Sequence, residues 1–186
     1  MDTTNFKTVR YSKTTITELM IPSYANFGGK VHGGILLSLM DKVAYVCAAK
    51  HAGNYCVTAS IDNVDFLAPV EVGELVALKA SVNYVGTSSL VVGIRVTAEN
   101  VKTQTFKHTN TCYFTMVAMD DHHKLAPVPG LILETKDEVR RFAEAMKRKD
   151  LKKQNKEHMR HIKTPLEMAN YRKLLSAQHC TINTDL

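Results

Sequence analysis

The 186-residue chain predicts an α+β fold in which one strand, one long apolar helix, four further strands and a basic helical tail follow one another. Three observations carry that expectation. Gly34 to Lys50 is apolar around most of a helical circumference. Four later segments alternate with the period of two that gives a strand an inner face, and the separators between them are short and rich in turn residues.

Val9 to Ile21 carries β-branched and aromatic residues and stops at Pro22, so it reads as the first strand. In the segment that follows, Ile35, Leu36, Leu37, Leu39, Met40, Val43, Ala44, Val46 and Cys47 leave little polar circumference, the pattern of a helix meant to be enclosed. Tyr55 to Phe66, Glu74 to Val85, Leu90 to Ala98 and Thr103 to Met119 supply four alternating strands. Pro69 to Gly73, Gly86 to Ser88 and Glu99 to Lys102 separate them, which makes consecutive strands antiparallel neighbours. The last strand is long enough to require a bend or bulge. Beyond the turn residues of Asp120 to Gly130, the residues Val139, Phe142, Ala143 and Met146 recur at helical spacing and predict a docked amphipathic helix. Lys149 to Lys163 is too polar to anchor firmly. Thr164, Pro165 and Glu167 have the pattern of a cap, a first-turn proline and a capping-box acid ahead of a short last helix. The expected division is 1–133 for the body and 134–186 for a basic helical C-terminal extension.

With 45% hydrophobic and 23% charged residues the chain can bury a real core, which excludes disorder throughout. Charge-free runs in the helix, such as Val43 to Ala49, fall far short of the ~20 apolar residues a bilayer requires. Met1 to Val9 lacks the apolar core of a signal peptide, so a cytoplasmic location is expected. The four cysteines form no C-x-x-C pair, and three sit in apolar or alternating runs, as reduced structural thiols do. The formal charge of +6 is uneven, with 11 Lys+Arg against 10 Asp+Glu in residues 1–133 and 13 against 8 in residues 134–186. A basic tail suits an anionic partner. No nucleic-acid motif or aromatic interleaving accompanies it, so neither a nucleic-acid nor a membrane partner is expected.

A charge on a nearly all-apolar helix requires compensation, because a buried ion finds a partner or shifts its pKa. Asp41 is that charge, with Gly34, Leu37, Tyr45 and Ala48 as its facial neighbours. It either faces a ligand or pairs with Lys42 or a strand lysine. Ahead of the helix, Gly28-Gly29 and Gly33-Gly34 form either a tight loop and helix entry or an approach for a ligand, since helix N-termini present unpaired amides to a developing oxyanion. Asp41 lies seven residues beyond Gly34, ~10 Å along the axis. A reaction that uses both therefore draws on two protomers across a two-fold interface, and a dimer is predicted. His122 and His123 lack further ligands at metal spacing, so no metal site is expected.

The segments Asn26 to Asp41, Val57-Thr58-Ala59, Phe66-Leu67-Ala68-Pro69-Val70, Val72-Gly73-Glu74 and Gly86-Thr87-Ser88-Ser89 resemble the hotdog-fold acyl-CoA thioesterases, in their cytosolic acyl-CoA hydrolase branch, over roughly Thr8 to Leu131. The resemblance implies a five-stranded antiparallel sheet wrapped around one long central helix, two protomers sharing a continuous sheet, and dimers assembling into a trimer of dimers. It implies thioester hydrolysis with no metal or redox cofactor, CoA being part of substrate and product. Asp41 then acts as general base or as nucleophile, Asn26 of the facing protomer orients water or thioester, and the Gly33 and Gly34 amides hold the oxyanion. His32 and Thr58, the turn Gly86-Thr87-Ser88-Ser89, and Arg140 and Arg141 from the tail form the expected CoA-binding set. His32 also invites a hotdog hydratase or dehydratase reading. That reading, and a non-catalytic acyl-CoA-binding protein, are the alternatives; a helix aspartate in place of glutamate speaks against the first, and Asn26 together with Asp41 against the second.

Overall fold

Each alternating segment buries one face, and the apolar helix supplies the surface that covers it. In chain order the computed structural model, which describes residues 5–162 and 167–183, consists of β1 (Phe6–Thr8), α1 (Val9–Ser12), β2 (Thr14–Leu19), a 3-10 turn at Pro22–Tyr24, α2 (Gly33–Ala52), β3 (Tyr55–Ile61), β4 (Leu75–Val85), β5 (Ser89–Asn100), β6 (Thr105–Met119), β7 (Gly130–Ile132), α3 (Lys136–Ile162) and α4 (Met168–Leu175). The described residues form two compact units divided between Met146 and Lys147.

The main sheet is antiparallel in the order β2-β4-β5-β6-β3, with α2 packed across all five strands. Leu78, Val92, Ile94, Phe114 and Met116 face Leu36, Met40, Val43 and Cys47 in one core from which solvent is excluded. The helix ends at Gly53, whose φ of 74° closes the last turn through a bond from its N–H to the Ala49 carbonyl at 2.8 Å. The expected irregularity of the long strand is present. The register between β5 and β6 slips at Thr109, and further bulges lie at Ala59 in β3 and Asn83 in β4.

Four expectations change. β3 and β4, expected as antiparallel neighbours across Pro69 to Gly73, are not adjacent: β3 closes one edge of the sheet against β6, while β4 lies between β2 and β5. Val9 to Ser12 is a helical turn and not strand, because the Thr8 hydroxyl caps it by accepting from the Tyr11 N–H, with Val9 and Ser12 turned inward. The inner face of α3 consists of Glu138, Phe142 and Ala145, with the Phe142 ring 5.1 Å from Tyr84, while Val139, Ala143 and Met146 are exposed. The tyrosine on the outer face of the sheet offers Phe142 the better contact. Finally, α2 is enclosed on its sheet side only; Gly34, Ser38, Asp41, Lys42, Tyr45 and Val46 form an exposed band along it. In the second unit α3 continues to Ile162, and α4 starts after Glu167 without a side-chain cap bond. The cap and proline expected at Thr164 and Pro165 lie outside the described residues.

Cys47, Cys56 and Cys112 are buried and unpaired, and burial pushes their thiols up to about 12, about 11 and about 12, so they are protonated and inert. No helix among the described residues is long and apolar enough to cross a membrane. His51, near the end of α2, is buried with its Nε2 3.0 Å from the Pro129 carbonyl and ties the helix to the β7 segment. Burial lowers its imidazole below the ordinary value of 6.5, against the opposing pull of the Pro129 carbonyl. The unfolded chain therefore binds more protons than the native state below about pH 6.5, and stability falls as pH drops through that point. Thermal melts should show the parent losing more stability between about pH 7 and 5.5 than His51→Gln, which removes the titrating ring; equal slopes would contradict this role for His51.

Candidate active site

The bare flank of α2 runs beside the edge strand β3, and Asp41 sits on it. In β3, Cys56 is buried toward the helix, and period-two geometry sends Thr58 to the same side. The Thr58 hydroxyl donates to Asp41 Oδ1 at 2.6 Å, and its oxygen lies 3.4 Å from Met116 Sδ. Among the described residues Asp41 makes no ion pair, so the alternative of an internal pair with Lys42 or a strand lysine is set aside. Contrary to the expectation of a buried charge, the carboxylate is exposed in the single chain. One oxygen is held by Thr58, and the residue is open to solvent. Around it, Tyr45, Val46, Tyr55 and Ile61 remain between 37% and 54% exposed, an apolar rim beside an unpaired strand edge.

Asn26 opens a tight loop and folds its own side chain into it. Its Oδ1 accepts from the amides of Gly28 at 2.9 Å and Lys30 at 3.2 Å, while an ion pair of Lys30 with Glu71 at 2.6 Å pins the loop to the body. The carboxamide oxygen is thus committed, and Nδ2 is left to donate outward. Asn26 and Asp41 are each engaged elsewhere within the protomer, and the structure does not bring them together.

At the start of α2, His32 is the N-cap, and its Nδ1 accepts from the Gly34 amide at 2.8 Å. Of the two amides expected to bind an oxyanion, that of Gly34 is therefore occupied within the chain. The Gly33 amide makes no such cap bond, and the Phe66 ring packs on Gly33 so closely that a Cβ there would stand 3.2 Å from it. Phe66, half exposed, walls this helix end and escaped sequence reasoning, although it stands in the Phe66-Leu67-Ala68-Pro69-Val70 segment already singled out. The Asn110 amide and the Leu67 N–H hold its loop, bonded to the Asp65 carbonyl at 2.7 Å and the Thr109 carbonyl at 3.0 Å.

The expected CoA set is dispersed. Thr58 serves Asp41. In the Gly86-Thr87-Ser88-Ser89 turn, the Gly86 amide bonds the Ser89 carbonyl at 2.7 Å, and the Thr87 and Ser88 carbonyls accept from Val128 and Ala118. These bonds leave the Thr87 and Ser88 hydroxyls and N–H groups to offer a ligand. Arg140 pairs with Asp137 and Glu144, and Arg141 with Asp137 at 2.7 Å. The Arg140 guanidinium holds the Asp137 carboxyl below its usual range, and the two carboxylates hold Arg140 above its own. No group of three or more metal-ligating side chains occurs among the described residues.

Residues 28–104 match the thioesterase superfamily. The chain is 45% identical over 141 residues to protein VdlD of Helicobacter pylori, covering 76% of this chain and 80% of that protein. It superposes on an apo-hexameric acyl-CoA thioesterase with a TM-score of 0.78 at 36% identity, covering 81% of this chain and 96% of the other. It also superposes on the acyl-CoA hydrolase of Staphylococcus aureus, solved with butyryl coenzyme A, coenzyme A and coenzyme A disulfide, with a TM-score of 0.74 at 31% identity, covering 86% and 99%. Alanine variants of that enzyme have been solved at an asparagine, an aspartate and a threonine spaced along its chain as Asn26, Asp41 and Thr58 are here. The chain belongs to the thioesterase superfamily, and its helix wrapped by a five-stranded antiparallel sheet is the hotdog fold. It is a thioester hydrolase.

The cap geometry has a direct check. A Cβ at position 34 would stand 2.9 Å from His32 Nδ1, so Gly34→Ala should break the cap and cost about 1 kcal/mol. In a His32→Ala background the same change should cost little, a coupling that denaturant melts of the four proteins measure.

Proposed function

We propose that this protein hydrolyses acyl-CoA to free acid and CoA in a site that two protomers build together. The observation that carries the reading is Asp41, a carboxylate held by Thr58 on one oxygen and exposed beside the apolar residues Tyr45, Val46, Tyr55 and Ile61 at an unpaired strand edge. Two copies meeting along β3 and the bare flank of α2 would bury those residues and continue the sheet. Across the two-fold axis, the Asn26 loop of one copy would reach the Asp41 of the other. The hexameric neighbour supports an oligomer of this kind, and a trimer of dimers is the assembly proposed.

In the proposed reaction, water bound between Asp41 Oδ2 and its surroundings loses a proton to the carboxylate as its oxygen attacks the thioester carbon. Asn26 Nδ2 of the facing protomer orients the thioester. The Gly33 amide, reinforced by the positive end of α2, takes the oxyanion. Collapse of the tetrahedral intermediate breaks the carbon–sulfur bond, and the proton held by Asp41 passes to the departing thiolate. Thr58 is a positioning residue: its hydroxyl fixes Oδ1, so that Oδ2 alone meets water. The same oxygen, Oδ2, would serve in attack by Asp41 itself, the alternative to general-base action. No metal or redox group takes part, and a cytoplasmic location is proposed. The Thr87 and Ser88 hydroxyls are the proposed contacts for the pantetheine arm.

The hydratase and dehydratase alternative releases no thiol, and a binding protein turns nothing over. Assayed with a panel of acyl-CoAs and a thiol reagent, Asp41→Ala and Asn26→Ala should each lose roughly two to four orders of magnitude in kcat while keeping the parent's size on a sizing column. Thr58→Val should lower kcat more than it raises KM. Single-turnover hydrolysis in 18O-water should leave the Asp41 carboxylate unlabelled. A fully active Asp41→Ala enzyme would overturn the assignment of the acid.

A further inference from the structure

The loop that carries Asn26 is braced against the body by a chain of contacts that ends on a buried carboxylate. Asn26 Oδ1 takes the Gly28 and Lys30 amides, the Asn26 N–H donates to the Lys30 carbonyl at 2.7 Å, and the Gly29 N–H donates to the Asn26 carbonyl at 3.0 Å, so the loop is closed on itself. Its direction is set by the segment beside it. Lys30 forms an antiparallel bridge with Glu71, the Val31 N–H donates to the Val70 carbonyl at 2.9 Å, and Lys30 Nζ donates to both Glu71 carboxylate oxygens, at 2.6 and 2.7 Å.

Glu74, the last residue of the Val72-Gly73-Glu74 segment, fixes Glu71 in turn. From Glu71 to Glu74 the chain makes a tight turn with Gly73 at a φ of 90°, in which the Glu74 N–H donates to the Glu71 carbonyl at 3.2 Å and Glu74 Oε2 accepts from the Glu71 N–H at 2.9 Å. The other carboxylate oxygen, Oε1, lies 2.8 Å from Lys107 Nζ on β6. The Lys30–Glu71 pair is open to water, which screens it, so it holds the loop weakly by itself. Glu74 is 5% exposed. Desolvation offsets most of the attraction within a buried ion pair, and apolar side chains of the same volume often stabilise a fold as well. What this pair contributes is geometry. One oxygen has its donor in the turn and the other in the sheet, and the turn cannot shift without stranding a buried charge.

We propose that Glu74 is a positioning residue for thioester hydrolysis, an inference that rests on the shared-site reading of Asn26. Paired with Lys107, it sets the place of the Glu71 turn and, through Lys30, the place of the Asn26 carboxamide offered to the facing protomer. Glu74 touches no substrate. Its effect is on aim, and a displacement of about 1 Å caused far from the reacting atoms costs about a hundredfold in rate.

Glu74→Gln tests the assignment in the full-length protein. Glutamine keeps the volume but presents one acceptor and one donor, so either the Glu71 N–H or Lys107 loses its partner. In the acyl-CoA assay with a thiol reagent, kcat should fall about tenfold or more and KM should stay within about twofold. A second variant, Glu74→Met with Lys107→Met, replaces the pair by apolar side chains of similar length and should melt near the parent while losing kcat to the same extent, so that it carries the test should Glu74→Gln not fold. In an Asn26→Ala background either change should alter kcat less than about twofold, because the group being aimed is gone; a residue that only supports the fold would cost the same in both backgrounds. Equal losses in the two backgrounds, or parental kcat in the folded variants, overturn the proposal and leave the assignment of Asn26 standing. A fully active Asn26→Ala enzyme overturns both.

Discussion

A hydrogen bond from the edge of the sheet to the flank of its helix organises this molecule. Thr58 on β3 reaches across to Asp41 on α2 at 2.6 Å, and it can do so because the sheet covers only one side of the helix. The rest of the helix surface lies bare along the last strand. Tyr45 and Val46 on that strip, with Tyr55 and Ile61 on the edge strand, are apolar, and Asp41 lies among them with Ser38 and Lys42. A single chain leaves this surface in water at a cost of ~25 cal/mol for each Å² of apolar area, which favours a second copy laid along the same edge. Assembly and chemistry thus share one cause.

The two ends of α2 are fixed by different means, and that difference bears on function. At its C-terminus Gly53, His51 and the Pro129 carbonyl lock the helix into the body. At its N-terminus the cap is a single imidazole nitrogen on the Gly34 amide, with the Phe66 ring over Gly33. The rigid end sets the depth of the helix in the core. At the other end the Gly33 amide is outside the His32 cap, and it is the group proposed to hold the oxyanion.

Much of this was legible in the sequence, for reasons that separate the successes from the misses. Alternation in β4, β5 and β6 and the apolar circumference of α2 are strong, repeated signals, and the hotdog sheet follows from them together with the motif resemblance. Asp41 stood out as the one acid in a greasy run. The misses depend on single contacts. Thr8 caps a helical turn where β-branched residues suggested strand. Phe142 finds Tyr84 and so rotates α3 away from the face that Val139, Ala143 and Met146 implied. His32 takes the Gly34 amide, and Asp137 takes the arginines, because side chains near in sequence satisfy one another before a ligand arrives.

The proposed catalytic centre takes Asn26 from one protomer and Asp41 from the other. Co-expression of Asn26→Ala and Asp41→Ala chains in equal amounts, each with its own affinity tag, tests it most directly. In a mixed dimer one centre carries both lesions and the other carries neither. Random pairing should therefore restore about a quarter of the parent's turnover, and the doubly purified mixed dimer about half. A mixed dimer no more active than either variant alone would place both residues in one protomer's centre and rule out the shared site.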